Sequence, residues 1–301
     1  MKKNAYYYLR SNSSIIKHSG ADSLDLLNRL TTNELSNLNQ LNPIRTLLTN
    51  NKGRIVDSFL ILMRNDNDLY LLSDSNDLSI VINEIEKYTI IEDSMLSDIS
   101  KNISRIILYG KDIKSSLQKE LNLVNENYNI CDINGYQITV IKDISKKVDW
   151  YEIILDKKNI SDFLETLNSF DFIISTEKNF SSYCVKNMIP SYHREFGLHT
   201  NPIEAGLINL VNFEKGCYVG QEVIARLLNY KKTKRSLVLL KSNNHVMIGD
   251  KINHNSLTVG EITSVDNDDN NALALVKILY SKKGTKLKIN DLDVIVTKSS
   301  E

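Results

Sequence analysis

The stretch that decides the fold and the chemistry of this chain reads Lys215-Gly216-Cys217-Tyr218-Val219-Gly220-Gln221-Glu222. It places a cysteine between two glycines and just after a lysine. The next residues, 223–228, carry apolar side chains at helical spacing, so we predict that Cys217 lies on a tight turn leading into a helix. A helix N-terminus and a nearby ammonium group both favour a thiolate. Cys217 is therefore either a reactive thiol or, like most cysteines, a small buried hydrophobe, and its exposure decides between them.

The composition is that of a folded globular protein with no overall charge. The chain has 301 residues, 42% of them hydrophobic, with 37 basic and 37 acidic side chains. This balance argues against a protein that coats nucleic acid non-specifically. One basic run, Lys231-Lys232-Thr233-Lys234-Arg235, is either a solvated linker or a local dock for an RNA backbone or an acidic partner. We therefore do not expect direct nucleic-acid binding, although this run leaves it open.

The cysteines and the apolar runs bear on the compartment. Cys131, Cys184 and Cys217 are far apart and form no CxxC pair, which is typical of a reducing compartment. Residues 1–10 lack the apolar region of a signal peptide, and no run of about 18 apolar residues is present. We expect a cytoplasmic protein with no membrane segment.

The apolar pattern changes along the chain. Up to residue 230, strand-like and helix-like segments alternate, beginning with a hairpin over residues 45–62 that turns at Asn50-Asn51-Lys52-Gly53. From residue 231 onward, short strands are separated by Asn, Asp and Gly, which is typical of a small β-barrel. We predict an α+β region over 1–230, with two lobes divided near residue 100, and a barrel domain over 231–301.

Several motifs together resemble one known family. Residues 215–222 match the KGCYxGQE signature of the YgfZ-like folate-binding proteins, relatives of the glycine cleavage T protein, an aminomethyltransferase. Residues 18–22 resemble the family's HSGxD motif, and residues 51–57 its NxxGxxxD hairpin. Residues 200–207, Thr-Asn-Pro-Ile-Glu-Ala-Gly-Leu, resemble its TNPxEAGL run.

The resemblance implies a fold and a function. The expected fold is α+β and multi-lobed, arranged as in the glycine cleavage T protein around a central channel, with a small C-terminal β-barrel. The expected function is to bind tetrahydrofolate or a derivative and to support iron–sulfur cluster assembly or repair, including the clusters of tRNA-modifying enzymes. The expected partners are iron–sulfur assembly proteins or cluster-containing enzymes, and we expect an accessory factor in place of an enzyme.

The resemblance also implies a set of site residues. Asp57 is expected to anchor the pterin ring, because a buried carboxylate can accept two of its N–H groups. Cys217 is expected to be the reactive thiol at the catalytic position. Lys215 and Arg226 are expected to neutralise the glutamate tail, and Glu204 completes the expected folate-binding set.

The residues alone also allow simpler roles. Strand alternation favours a solvent-facing Asp57, and Glu204 can merely support a first helical turn. Arg226 can pair with Glu222 on a helix face, and Lys215 can serve Cys217 in place of a ligand.

Two other functions remain open. Ser58 stands where aminomethyltransferases carry a second acid, which counts against the first alternative, a folate-dependent one-carbon transferase. The second alternative is a scaffold without a ligand. His193 and His199 lie near the signature, but their spacing fits no zinc or cluster pattern, so no metal is expected.

Overall fold

The computed structural model describes residues 4–266, 268, 270–290 and 292–300. The expectation that there is no signal peptide rests on residues 1–10, and residues 1–3 of that segment lie outside the described residues. The strands are β1 Tyr6–Leu9, β2 Ile15–Ser19, β3 Ile44–Thr49, β4 Ile55–Asn65, β5 Asp68–Ser73, β6 Met95–Asp98, β7 Ile103–Tyr109, β8 Tyr128–Ile133, β9 Tyr136–Lys142, β10 Trp150–Asp156, β11 Ile173–Ile174, β12 Arg235–Ser242, β13 Lys251–His254, β14 Leu257–Asp266, β15 Asn271–Lys277, β16 Lys286–Ile289 and β17 Leu292–Ser299.

The helices are fewer and short. They are α1 Ser23–Leu30, α2 Leu78–Glu86, α3 Ile113–Leu121, α4 Ile160–Ser169, α5 Glu177–Lys186 and α6 Gln221–Asn229, with 3-10 turns at Lys157–Asn159, Ile208–Leu210 and Ile278–Tyr280. In the part of the chain that the structure describes, no helix is both long enough and apolar enough to cross a membrane.

The chain forms two compact units. The first consists of Met1–Leu48 and Ser58–Glu177, and the second of Thr49–Asp57 and Lys178–Glu301. Residues 49–57, which we call the hairpin tip, therefore belong to the second unit, although most of β3 and β4 belongs to the first. The predicted domain boundary at residue 230 stays a prediction.

The first unit is built on two sheets. One has the strand order β11-β1-β7-β10-β9-β8 and the other the order β3-β4-β5-β2-β6. Helices α3 and α4 bury Leu117 and Phe163 against the six-stranded sheet, in a cluster that includes Ile106 and Ile153. A second apolar cluster joins residues of both sheets, among them Leu60 and Ile154, so the sheets pack on each other.

A network of buried charges lies in the same unit. Arg45 on β3 is buried, and its guanidinium donates to Asp143 at 2.7 Å, Asp74 at 2.9 Å and Glu152 at 3.3 Å. It also donates to the Ser58 hydroxyl at 3.0 Å. Burial alone would raise the pKa of Asp143, but the positive charges of Arg45 and Lys146, together with hydrogen bonds to the carboxylate, outweigh this and lower the pKa. Because every charge in this network is paired, its burial is tolerated.

The second unit contains a closed barrel with the strand order β12-β15-β14-β13-β16-β17. Its interior is filled by aliphatic side chains, including Val238, Ile252, Ala274 and Leu287. Among the described residues, closure leaves the barrel without an unpaired edge strand, which removes a site for aggregation. The predicted α+β chain with a small C-terminal β-barrel is confirmed.

Candidate functional site

The hairpin tip contacts the signature segment, residues 215–226, mostly through backbone. The Thr49 hydroxyl donates a hydrogen bond of 2.6 Å to the Val219 carbonyl. A β-carbon built on Gly220 would stand 2.6 Å from the Asn50 carbonyl oxygen, and one on Gly53 would stand 3.2 Å from a side-chain carbon of Ile224. Both glycines have positive φ, +86° and +64°. The two motifs, far apart in sequence, are therefore fitted to each other.

Cys217 is exposed. Helix α6 begins at Gln221 with Gly220 at its N-cap, and the turn before it is closed by a 3.2 Å bond from the Gln221 amide to the Tyr218 carbonyl. Cys217 therefore lies just before the turn that leads into the helix. Cys184 is buried and Cys131 is half-buried, so Cys217 is the most accessible of the three thiols.

Lys215 and Tyr218 flank this cysteine and are both largely buried. The Lys215 ammonium lies 5.7 Å from the centre of the Tyr218 ring, in cation–π geometry. The Tyr218 hydroxyl has no hydrogen-bond partner among the described residues, and burial raises the pKa of Tyr218 to about 12. A buried hydroxyl without a partner is costly, so this atom is suited to receive a polar group of a ligand.

Asp57 is fully buried on β4. The solvent-facing position favoured by strand alternation is therefore wrong. Val56 and Ser58 are also buried, because β4 is covered on both faces and has no solvent side at this point. The Tyr192 hydroxyl donates to the Val56 carbonyl at 3.0 Å, which fixes the strand beside Asp57.

Glu204 lies in a turn and not in a helix, and its carboxylate is held by two arginines. Arg54 of the hairpin tip donates to it at 3.1 Å, and Arg235 donates to its two oxygens at 3.4 and 3.2 Å. Both arginines also donate to the His199 carbonyl, at 3.2 and 2.8 Å. Its predicted role as a folate ligand stays a prediction.

Arg226 is exposed on α6. It lines a small depression together with Glu222, Tyr230 and Lys232. The predicted roles of Lys215 and Arg226 at a glutamate tail stay predictions, as does the absence of a metal. The two differ in setting, since Lys215 is buried and Arg226 faces solvent.

Sequence reasoning missed four residues that join these segments: Thr49, Arg54, Tyr192 and Arg235. Arg54 lies inside the hairpin motif and Arg235 inside the basic run, so both stood in stretches already singled out. Their pairing with Glu204 links residues 150 and 31 positions apart, which no local pattern shows.

Comparisons with known proteins agree on one family. The family model of the GCVT N-terminal domain matches residues 10–215. An aminomethyltransferase from Caldanaerobacter subterraneus is 23% identical over 299 residues, covering 90% of this chain and 76% of that protein. A tRNA-modifying protein YgfZ from Colwellia psychrerythraea is 25% identical over 229 residues, covering 75% and 68%. The crystal structure of the glycine cleavage system aminomethyltransferase T from Bartonella henselae, 16% identical, superimposes with a TM-score of 0.84 over 99% of this chain and 86% of that one. The predicted glycine-cleavage-T-like fold is confirmed.

Proposed function

The chain belongs to the GCVT N-terminal domain family, and on this premise we propose that it is a tetrahydrofolate-binding accessory protein for iron–sulfur clusters. In this role it supports the assembly or repair of clusters, including those of tRNA-modifying enzymes, in the cytoplasm. Its partners are the assembly proteins or the cluster-containing enzymes themselves. The observation that carries the proposal is an exposed Cys217 within a signature segment that is held against the hairpin tip.

The residues present fit a reduced folate. The pterin ring displays N–H donors, and Asp57 offers a carboxylate that is removed from water, where such bonds are strongest. The Tyr218 hydroxyl is a buried polar atom without a partner among the described residues. A buried acceptor and an unused hydroxyl on segments that contact each other are the groups that a flat, polar heterocycle requires.

Each residue then has a defined task. Asp57 binds and orients the ring, while Lys215 and Arg226 supply positive charge for the carboxylates of the glutamate tail. Tetrahydrofolate, when bound, supplies a reduced pterin that can carry one-carbon units. Cys217 offers a thiol to a cluster or to a partner protein at the surface, and its exposure permits that contact.

One similar protein is named an aminomethyltransferase, which supports the alternative function, a folate-dependent one-carbon transferase. In this chain Ser58 replaces the second acid, and its hydroxyl accepts from the buried Arg45. That bond ties Ser58 to a structural network, so it supports the accessory role. Formation of methylenetetrahydrofolate from an aminomethyl donor by the purified protein would instead support the transferase.

Folate binding is tested by calorimetric titration of the purified chain with tetrahydrofolate. We expect saturable binding that weakens by about tenfold or more in Asp57→Asn, because the amide loses charge-assisted acceptance of N–H groups. Asp98→Asn, at an exposed aspartate of β6, is the control and should bind like the parent. Absence of saturable binding by the folded parent chain would refute this half of the proposal.

The role of the thiol is tested in a strain that lacks the protein. Cys217→Ser should retain its tetrahydrofolate affinity and yet fail to restore the activity of a cluster-dependent enzyme. Cys131→Ser, at a half-buried cysteine outside the signature segment, should restore it. Full rescue by Cys217→Ser would refute the assigned role.

A further inference from the structure

The second unit contains a cleft with a concentrated positive charge. Its volume is about 710 Å³, within the range of small-molecule sites. Among the described residues, its lining carries six lysine or arginine side chains and two carboxylates, an excess of four positive charges. The whole chain has a net charge of zero, so this excess is local. The cations are Arg54, Arg194, Lys234, Arg235, Lys251 and Lys277.

One wall of the cleft is a preorganised pair of guanidinium groups. Arg54 and Arg235 share the carboxylate of Glu204, which is only 5% exposed, while their own side chains are 39% and 34% exposed. One carboxylate compensates one of the two charges. Because a guanidinium carries five N–H donors, each arginine keeps donors for an incoming anion after contacting Glu204 and the His199 carbonyl.

The remaining cations are available to different degrees. Lys251 pairs with Glu261, and Lys277 donates to the Thr258 carbonyl at 3.0 Å. Lys234 is exposed, and in the described part of the chain it forms no ion pair. Burial lowers the pKa of His199, and the positive charge of Arg235 lowers it further. A hydrogen bond with the Arg194 carbonyl acts in the opposite direction but is weaker than the effect of burial, so the imidazole favours its neutral form.

The cleft is distinct from the proposed folate site. Among the described residues, its lining includes neither Asp57 nor any residue of the signature segment. Lys234 and Arg235, from the basic run that the proposed function leaves unused, both line the cleft. The cleft is therefore suited to a ligand other than the proposed folate.

We propose that this cleft is a binding site for phosphate esters, taken from either a free nucleotide or the backbone of an RNA strand. The phosphate monoester of a nucleotide carries nearly two negative charges, and successive phosphodiesters of an RNA strand carry one each, so either source offers the cleft more negative charge than a single carboxylate does. Arginine forks match phosphate oxygens in pairs, and lysines bind them as point charges. The site goes beyond the proposed folate function and does not depend on it.

The test uses the full chain and a fluorescein-labelled RNA of about 12 nucleotides, a length suited to a groove of this kind, followed by anisotropy. UMP and pentaglutamate serve as competitors. The variant is Lys234→Ala with Lys277→Ala, at two exposed lysines of the cleft. The matched control is Lys282→Ala with Lys283→Ala, at two exposed lysines outside it. Thermal unfolding of each variant checks that it is folded.

At about 50 mM salt we expect the cleft variant to bind the RNA at least about tenfold more weakly, while the control stays within about twofold. The dependence of log K on log salt should also fall by about 0.7 for each lysine that contacts a phosphate. If UMP displaces the labelled RNA with an affinity similar to that of the RNA itself, the ligand is a free nucleotide. If only unlabelled RNA displaces it, the ligand is an RNA strand.

Three results would overturn the proposal. The first is equal weakening of RNA binding in the cleft variant and the control. The second is competition by pentaglutamate without competition by UMP or unlabelled RNA, which would identify a carboxylate site. The third is no binding of RNA or UMP by the folded parent chain. Tetrahydrofolate binding, measured on the same variant, should be unchanged, so the two proposals fail separately.

Discussion

Gly220 and Asn50 approach so closely that a β-carbon on the glycine would stand 2.6 Å from the asparagine carbonyl oxygen. The same atom would lie 3.1 Å from the Thr49 hydroxyl. Gly220 is therefore required both by its φ of +86° and by the backbone opposite it. The signature segment and the hairpin tip specify each other at this point.

Gly220→Ala should destabilise the protein more than its backbone angle alone explains. Gly249→Ala is the control, because Gly249 has a similar φ of +91° and nothing within 4 Å of its added β-carbon. We expect Gly249→Ala to cost about 1 kcal/mol of unfolding free energy, from the left-handed angle. Gly220→Ala should cost about 1–3 kcal/mol more, from the overpacked contact. Equal losses in urea unfolding would show that the contact carries no strain.

The three thiols should react in a fixed order with iodoacetamide in the native protein. Cys217 is exposed and should be labelled first, and Cys184 is buried and should be labelled only on unfolding. Burial raises the pKa of the half-buried Cys131, which lowers its thiolate fraction near neutral pH and slows its reaction. Mass spectrometry of peptides over time measures the order. Loss of the fast phase in Cys131→Ser but not in Cys217→Ser would contradict it.

Glu204→Gln should destabilise the protein by about 1–2 kcal/mol, because it leaves two neighbouring guanidinium groups without their carboxylate. The cost is modest for a buried acid, since both arginines reach solvent and are screened. Raising the salt concentration should reduce the loss. Glu261→Gln, which removes an exposed partner of Lys251, is the control and should cost no more than about 0.5 kcal/mol. If Glu204→Gln lowers the free energy of unfolding no more than this control does, the ion pairs of Glu204 do not stabilise the protein measurably.

His18 should make the protein sensitive to acid. It is fully buried, its Nε2 lies 2.6 Å from the Ser94 hydroxyl, and burial lowers its pKa from 6.5 to about 4. The unfolded state binds the proton more readily between these values, so stability should fall as the pH falls from about 6.5 to about 4, by up to about 3 kcal/mol. His18→Gln should remove this slope, while His245→Gln, at an exposed histidine, should leave it. An unchanged slope in His18→Gln would contradict the prediction.

The sequence predicted elements whose signal is local. The hairpin turning at residues 50–53 and the helix that follows the signature were both found, because a polar turn with glycine and a helical spacing of apolar residues are short-range patterns. The sequence pattern does not delimit the barrel strands β13 and β16 individually. Each has four residues, too few for alternation to stand out from a polar turn.

The site was predictable only in part. The motifs named Asp57, Glu204 and Cys217 as residues of interest, but their environments depend on contacts between distant segments. Asp57 is buried because its strand is covered on both faces, and Glu204 is held by an arginine 150 positions away. Alternation and local spacing carry no information about either.

The course of the chain between the two units also limits how the molecule can be dissected. The polypeptide passes from one unit to the other after Leu48, after Asp57 and after Glu177. A single proteolytic cut after Glu177 leaves all segments of the first unit in one fragment, whereas a fragment starting at residue 178 lacks residues 49–57, which contact its own signature segment. In limited digestion at this junction we expect the second unit to lose its structure before the first.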